Sequence, residues 1–364
     1  MAAHDIPDTP AIRATMQKTQ EESLAKLGLD PRVVAGWEDG WRTAEDVDEA
    51  FEWWYFDMQL DDGTTLVATF NTKPHSHPDG PLDPSVLLIY QGPDGRKVRI
   101  NEPYSSAEFT ASTKGCDVRI GPNTVEGDLA SYTLHVEVAG IVADLQMTRR
   151  APSWRPGAGV SWFDSRKKHY MAWVVPVPYG TVTGTITDHL GQREVTGTGY
   201  HDHNWGNRLM SSYLDHWYWG RAHVGDFTVV YVRMTTKGLF GFGSLNIPTI
   251  FLAKGERLLT DDLLPLRLVT SGETAGPGGQ SYPTDLLWTW QTDEGSLRMH
   301  ITNPTMIESL DLKEDSSNPV KTLLHAHSHP MYFDFNADLE LTVDLPGVRE
   351  TVKGRTLFEK MMFR

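Results

Sequence analysis

Glu52-Trp53-Trp54-Tyr55-Phe56-Asp57-Met58-Gln59-Leu60-Asp61-Asp62-Gly63-Thr64-Thr65-Leu66-Val67-Ala68-Thr69-Phe70 reads as two strands about a turn. Aromatic and β-branched residues fill the runs 53–60 and 64–70, and Asp62-Gly63 between them is a strong hairpin signal. Alternation sends Glu52, Trp54 and Phe56 to one face and Trp53, Tyr55 and Asp57 to the other. The same period of two returns at 132–138, 170–177, 181–188, 194–199, 227–234, 286–291, 296–302 and 335–343. Gly92-Pro93, Asp94-Gly95, Gly121-Pro122 and Glu294-Gly295 punctuate these runs. Many short strands with regular turn signals predict an all-β sandwich or barrel.

Helical signals precede the hairpin. Thr9 is placed to cap a helix that starts at Pro10, and Gly28 is placed to end it. Ile12, Met16, Leu24 and Leu27 fall near one face, and Thr43 could open a second, short helix. Residues 59–64 with Asn71 resemble residues 291–296 with Asn303, and a His-Ser-His-Pro run follows each stretch. Two β domains of similar build would explain this. The Trp205-Gly206 stop favours a boundary near 206–213, and the stretch 152–159 reads as a long surface loop. The expected organisation is a helical extension over 1–47, then β domains over 48–208 and 209–364.

Composition narrows the partners. A chain of 364 residues suits two domains, and 39% apolar residues suffice for cores. The net charge of −15 argues against nucleic acid and against anionic lipid. One cysteine, Cys116, excludes a disulfide framework and a site built from several cysteines. No apolar run approaches the roughly 18–20 residues of a membrane span, and the first ten residues lack the pattern of a leader. The expectation is a soluble, cytoplasmic protein; the sequence leaves its oligomeric state open.

Three clusters could carry chemistry. Tyr200-His201-Asp202-His203-Asn204-Trp205-Gly206 leaves a strand with His201 and His203 on one face and Asp202 on the other. One histidine could act as general acid or base, oriented by Asn204 or Asp202. The competing reading is a buried, hydrogen-bonded corner. Glu52 beside indoles would have its pKa raised in an apolar pocket; alternatively it pairs with an arginine at a barrel rim. Trp217, Trp219 and Arg221 share one strand face and could line a pocket or stabilise developing positive charge, or simply form core. The pairs His75/His77, His201/His203 and His325/His327/His329 allow a metal test, but no spacing supplies a third ligand. No metal and no cofactor are therefore expected. A phosphate loop, a Gly-x-Ser-x-Gly elbow and a His-Glu-x-x-His helix are all missing from the sequence.

Taken in order, Glu52-Trp53-Trp54-Tyr55, Trp173-Val174-Val175-Pro176-Val177-Pro178, Gly184-Thr185, residues 197–206 and Trp217-Tyr218-Trp219-Gly220-Arg221 resemble the carotenoid 1,2-hydratase (hydroxyneurosporene synthase) and AttH-like family. The likeness covers roughly residues 48–235, with a weaker match at 354–361 that includes Glu359. It implies two lipocalin-like β domains packed together, with an apolar pocket at or between them. It also implies cofactor-free chemistry: some members hydrate an isoprenoid double bond, and fungal relatives of the fold perform [4+2] cyclisation. One position departs from the hydratases. Where they carry an acid shortly after a strand tyrosine, Tyr231-Val232-Arg233 stands here.

The resulting expectation is a lyase- or isomerase-type enzyme acting on a hydrophobic, isoprenoid- or polyketide-like small molecule. Asp202, His201, His203 and Glu52 are the catalytic candidates. Trp54, Tyr55, Tyr200, Asn204, Trp217, Trp219, Arg221 and Tyr231 are the candidate substrate contacts, with Trp54, Trp217 and Trp219 expected to line one cavity at the domain seam. A non-catalytic carrier of an apolar ligand and a histidine-based metal hydrolase are the alternatives.

Overall fold

The structure is a computed structural model and describes residues 4–44, 48–74, 78–164, 166–238, 244–311 and 331–363. The chain divides into two β units, one of residues 17–210 and one of residues 211–364 with residues 1–16. Each is a curled sheet of lipocalin-like type.

In the 17–210 unit, period-two patterning sets one long antiparallel sheet. Its order runs Lys97–Pro103, Ser85–Gln91, Thr65–Asn71, Phe51–Leu60, Gly191–Gly206, Tyr170–Asp188, Ile141–Arg149, Ser131–Val138, Asn123–Gly127, Cys116–Ile120 and Phe109–Ala111, with Val160–Trp162 added to Tyr170–Asp188. The first long strand, Phe51–Leu60, thus lies beside the last, Gly191–Gly206. Trp54, Phe56, Met58, Leu66, Ala68, Phe70, Leu134 and Val136 fill the inner face, as the alternation requires. Asp62-Gly63 makes the hairpin turn, with Gly63 at φ 88° and Asp62 Oδ1 accepting from Thr64 N at 2.9 Å.

Several local expectations need correction. The runs 170–177 and 181–188 belong to one strand, Tyr170–Asp188, whose register slips twice between Val174 and Gly180. Pro176 and Pro178 lie in that interval and cannot donate to the ladder. The 152–159 stretch is no surface loop: Trp154 pairs with Val175, and Arg155 is buried against Glu38. Thr43 bonds Glu52 through both its N–H and its hydroxyl, and residues 45–47, over which a helix from Thr43 would run, lie outside the described residues. A 3-10 turn, Gly36–Asp39, precedes Thr43.

The helix Pro10–Leu27 forms as the caps require. Thr9 Oγ1 accepts from Ile12 N at 3.3 Å, and Gly28 leaves the helix at φ 68°. Its apolar stripe is less buried than expected: Ile12, Met16 and Leu24 are half-buried and Leu27 is exposed. No helix among the described residues is long and apolar enough to cross a membrane.

The second sheet runs His4–Asp5, Leu245–Lys254, Phe227–Thr236, Leu214–Val224, Val348–Met362, Met331–Leu345, Gly295–Asp311, Ser281–Thr292 and Arg267–Ala275, with Arg257–Thr260 paired to Leu245–Lys254. Again the unit's first hairpin strand, Leu214–Val224, adjoins its last, Val348–Met362. Tyr218, Tyr231, Trp288, Phe333, Phe335 and Phe358 build its core. The two similar turn sequences do not occupy equivalent places. Phe51–Leu60 and Thr65–Asn71 open their unit, whereas Ser281–Thr292 and Gly295–Asp311 lie within theirs. Hairpin turn chemistry accounts for that likeness. Of the His-x-His runs, His75/His77 and His325/His327/His329 lie outside the described residues.

Candidate active site

The strand Gly191–Gly206 presents two polar arrangements, one on each face. On the inner face, His201 and His203 are fully buried beneath the Gly36–Asp39 turn. His201 Nδ1 lies 2.9 Å from the Tyr55 carbonyl and Nε2 lies 3.2 Å from Asp39 Oδ2. His203 Nδ1 lies 3.2 Å from the Glu38 carbonyl, and its Nε2 lies 2.8 Å from Glu52 Oε1. A carbonyl only accepts, so each Nδ1 carries hydrogen. Each Nε2 then faces a carboxylate oxygen at hydrogen-bond distance. Glu52 also accepts from Arg42 N, Thr43 N and the Thr43 hydroxyl, each at 2.8 Å. Its hydrogen-bond partners are thus a histidine, a threonine hydroxyl and two backbone N–H groups, not the side chain of a rim arginine that the sequence allowed.

Aromatic packing fixes both imidazoles. His201 stacks on Phe56 at 4.0 Å and His203 on Trp54 at 4.7 Å. Trp54 Nε1 donates to the Asp39 carbonyl at 2.9 Å, so this indole is core and does not reach the Asp202 face. The Tyr132 hydroxyl donates to Asp39 Oδ2 at 2.5 Å. The Asp39, Cys116 and His201 donor atoms lie within 4.8 Å of one another, a set of types that zinc accepts. Burial, with Asp39 beside it, pushes the Cys116 thiol well above its ordinary range. Asp39 Oδ2 is taken up by Tyr132 and His201, whereas Asp39 Oδ1 is buried without a hydrogen-bond partner.

On the outer face, Asp202 is 6% exposed and sits in an aromatic frame. Its Oδ2 accepts from Trp173 Nε1 at 3.0 Å and from the Tyr200 hydroxyl at 2.8 Å. Its Oδ1 accepts from Asn204 Nδ2 at 2.8 Å. Tyr55 stands opposite Asp202 in register and meets Tyr200 edge-on at 6.2 Å. Burial pushes the carboxyl up to about 6, although the hydrogen bonds from Tyr200, Trp173 and Asn204 pull the other way. This carboxyl can therefore both hold and release a proton near neutral pH.

The structure brings Asp202, Tyr200, Asn204 and Tyr55 together and sets His201, His203, Glu52 and Trp54 apart from them. In the second unit Trp217, Trp219 and Arg221 share one strand face, and the Trp217 indole donates to Glu359 Oε1 at 2.6 Å. Tyr231 points to the opposite, core side, bonded to Thr356 at 2.8 Å. Sequence reasoning missed Glu38 and Asp39, the buried acids over the histidines. It also left Trp173 out of the site, although the indole lies beside Asn204 in register and so on the Asp202 face.

No family model matches the chain. The quinolone epoxide rearrangement protein asqO of Emericella nidulans is 26% identical over 209 residues, 50% of this chain and 53% of that protein. Hydroxyneurosporene dehydrogenase of Chlorobaculum tepidum is 24% identical over 225 residues, 53% of this chain and 59% of that protein. The match thus spans little more than half the length of these curated relatives. Among solved structures, CghA with Sch210972 has a TM-score of 0.61 at 14% identity, covering 86% of this chain and 89% of that one. The AttH protein NE1406 of Nitrosomonas europaea has a TM-score of 0.58 at 18% identity, covering 86% and 93%. The likeness carried by the Glu-Trp-Trp-Tyr and Tyr-His-Asp-His-Asn-Trp-Gly motifs is therefore met on both counts: the chain is similar in sequence to hydroxyneurosporene dehydrogenase and the quinolone epoxide rearrangement proteins, and it shares the lipocalin-like fold of AttH and CghA.

Proposed function

We propose that the chain is a cofactor-independent enzyme of lyase or isomerase type, acting on a hydrophobic small molecule, with Asp202 as proton donor. The observation that carries this reading is the Asp202 carboxyl, sunk in an aromatic face and raised to about 6. Oδ2 already accepts two hydrogen bonds, so the acidic hydrogen belongs on Oδ1, beside Asn204. Donation to an alkene carbon or an epoxide oxygen leaves positive charge on the substrate and a carboxylate on the protein. Trp173, Tyr200 and Asn204 then stabilise that carboxylate with hydrogen bonds that strengthen as it charges. Loss of a neighbouring C–H proton from the substrate, or attack by water, returns the proton to Asp202 and closes the cycle. The aromatic groups Tyr55, Tyr200 and Trp173 suit an apolar chain and the charge that develops on it.

The similarity to proteins named for quinolone epoxide rearrangement and for hydroxyneurosporene makes epoxides and isoprenoid alkenes the first substrates to assay. With any substrate turned over, Asp202→Asn should lower kcat by 100-fold or more, the usual scale of general acid catalysis. In the wild type, kcat/KM should fall as pH rises through about 6, where the acid form is lost. Undiminished turnover in a folded Asp202→Asn protein would remove Asp202 from the mechanism. Tight binding with no turnover of either class would instead favour the carrier.

A further inference from the structure

The buried cluster under the Gly36–Asp39 turn holds more lone pairs than hydrogens to meet them. Asp39, Cys116 and His201 are 1%, 2% and 0% exposed, and each donor atom lies within 4.8 Å of the other two. His201 Nδ1 gives its hydrogen to the Tyr55 carbonyl at 2.9 Å, so in the neutral ring Nε2 presents a lone pair. That lone pair stands 3.2 Å from Asp39 Oδ2, which when ionised only accepts. Asp39 Oδ1 is buried without a hydrogen-bond partner. His203 Nδ1 lies 3.5 Å from Oδ1 but gives its hydrogen to the Glu38 carbonyl. The Cys116 thiol also faces Asp39, as a weak donor.

Two atoms that both offer lone pairs do not rest at this spacing unless something positive lies between them. A hydrogen on Nε2 would answer Oδ2, which Tyr132 already serves, and would leave Oδ1 as it is. A divalent cation answers the imidazole, the carboxylate and the sulfur together. Donors around one tetrahedral zinc sit about 3–4 Å apart, and the Nε2–Oδ2 spacing of 3.2 Å falls in that range. Such an ion takes only the space between its donors and needs no cavity. The contacts of His201 are those of a metal-binding histidine: a backbone carbonyl on Nδ1 fixes the tautomer, and Phe56 stacked at 4.0 Å fixes the ring. The neighbouring acids are matched elsewhere, Glu38 by Arg155 and Glu52 by His203.

We propose that Asp39, Cys116 and His201 bind a zinc ion that clasps the Gly36–Asp39 turn to the strands Cys116–Ile120 and Gly191–Gly206. On binding, the thiol proton leaves to solvent and the sulfur becomes a thiolate ligand. Zinc(II), thiolate and carboxylate then sum to zero charge, which suits a buried site. Asp39 Oδ1 supplies the fourth donor beside Oδ2, so the protein closes the site and the ion is structural rather than hydrolytic. Only His201 of the His201/His203 pair takes part, because His203 Nε2 is held by Glu52. Asp39 and His201 stand 162 positions apart, which is why no spacing in the sequence announces the set. The inference does not depend on the role assigned to Asp202, which lies on the other face of its strand.

The test is metal analysis and cobalt substitution in the whole, untagged protein. Protein purified with zinc and then gel-filtered without it should retain one zinc per chain. Grown in zinc-poor, cobalt-supplemented medium, it should show a thiolate-to-cobalt charge-transfer band in the near ultraviolet. Cys116 is the one cysteine of the chain, so that band identifies the sulfur without any variant. Zinc added to the cobalt protein should bleach the band. Cys116→Ser should lose the band and at least tenfold in zinc affinity, and Asp39→Asn should weaken zinc likewise. Zinc should also raise the melting temperature of the wild type more than that of either variant. Melting curves establish that each variant is folded; if neither is, the wild-type band and its loss to zinc carry the same reading. No retained zinc, no cobalt band, metal bound without the band as the other histidine runs would hold it, or wild-type zinc affinity in folded Cys116→Ser would overturn the proposal.

Discussion

Asp202 is held in a state that costs stability once it ionises. Its carboxyl is raised from an ordinary value of about 3.9 to about 6 by burial. A raised acid favours the folded state while protonated, so its contribution is complete below about pH 4 and is lost as pH rises through about 6. The difference amounts to about 3 kcal/mol. Asp202→Asn carries no such charge. It should therefore melt higher than the wild type at pH 8 and at a similar temperature at pH 4, with denaturant curves at the two pH values as the check. A variant less stable than the wild type at pH 8 would show that the three donors need the charge more than burial penalises it. The sequence already separated Asp202 from the two histidines by alternation. It could not supply Trp173, which comes from another strand and is positioned only by the register of the sheet.

Among the elements, the Gly36–Asp39 turn and the residues up to Thr43 depend on contacts that no local pattern announces. Glu38 and Asp39 receive the imidazoles from residues more than 160 positions away, and Glu52 fixes Arg42 and Thr43 through their backbone N–H groups. By contrast, the helix Pro10–Leu27 was legible because its caps are local: Thr9, Pro10 and Gly28 each act within one turn. The hairpins were legible for the same reason. The strand rhythm was readable wherever one face is buried, and it blurred at Pro176 and Pro178, where the ladder itself slips. Glu52→Ala would leave a buried imidazole and three further donors without an acceptor. We expect a loss of about 3–5 kcal/mol in urea unfolding, the scale for breaking a buried charged pair from one side. Gly197→Ala tests the sheet contact beside it, since a Cβ there would lie 2.3 Å from the Gln59 carbonyl oxygen. It should destabilise the fold measurably, and a neutral result would mean that the two strands can separate locally at no cost.

At the scale of the whole molecule, both units share one plan: the strand that opens the first hairpin is hydrogen-bonded to the unit's last strand. During synthesis the opening strand Phe51–Leu60 leaves the ribosome long before Gly191–Gly206 is made. At about 5–20 residues per second the delay is on the order of ten seconds. Throughout that interval the Trp53–Phe56 segment has an unpaired edge and an aromatic face, the combination that invites pairing with another chain. Asp202, His201 and His203 all lie on the late strand, so a nascent chain gains the proposed proton donor in the same event that covers that edge. Ribosomes that stall before residue 191 should therefore present chains that aggregate or recruit chaperones, and those that stall beyond residue 206, with the last strand clear of the exit tunnel, should not. With the acid on the closing strand, unfinished chains would lack the activity proposed for Asp202.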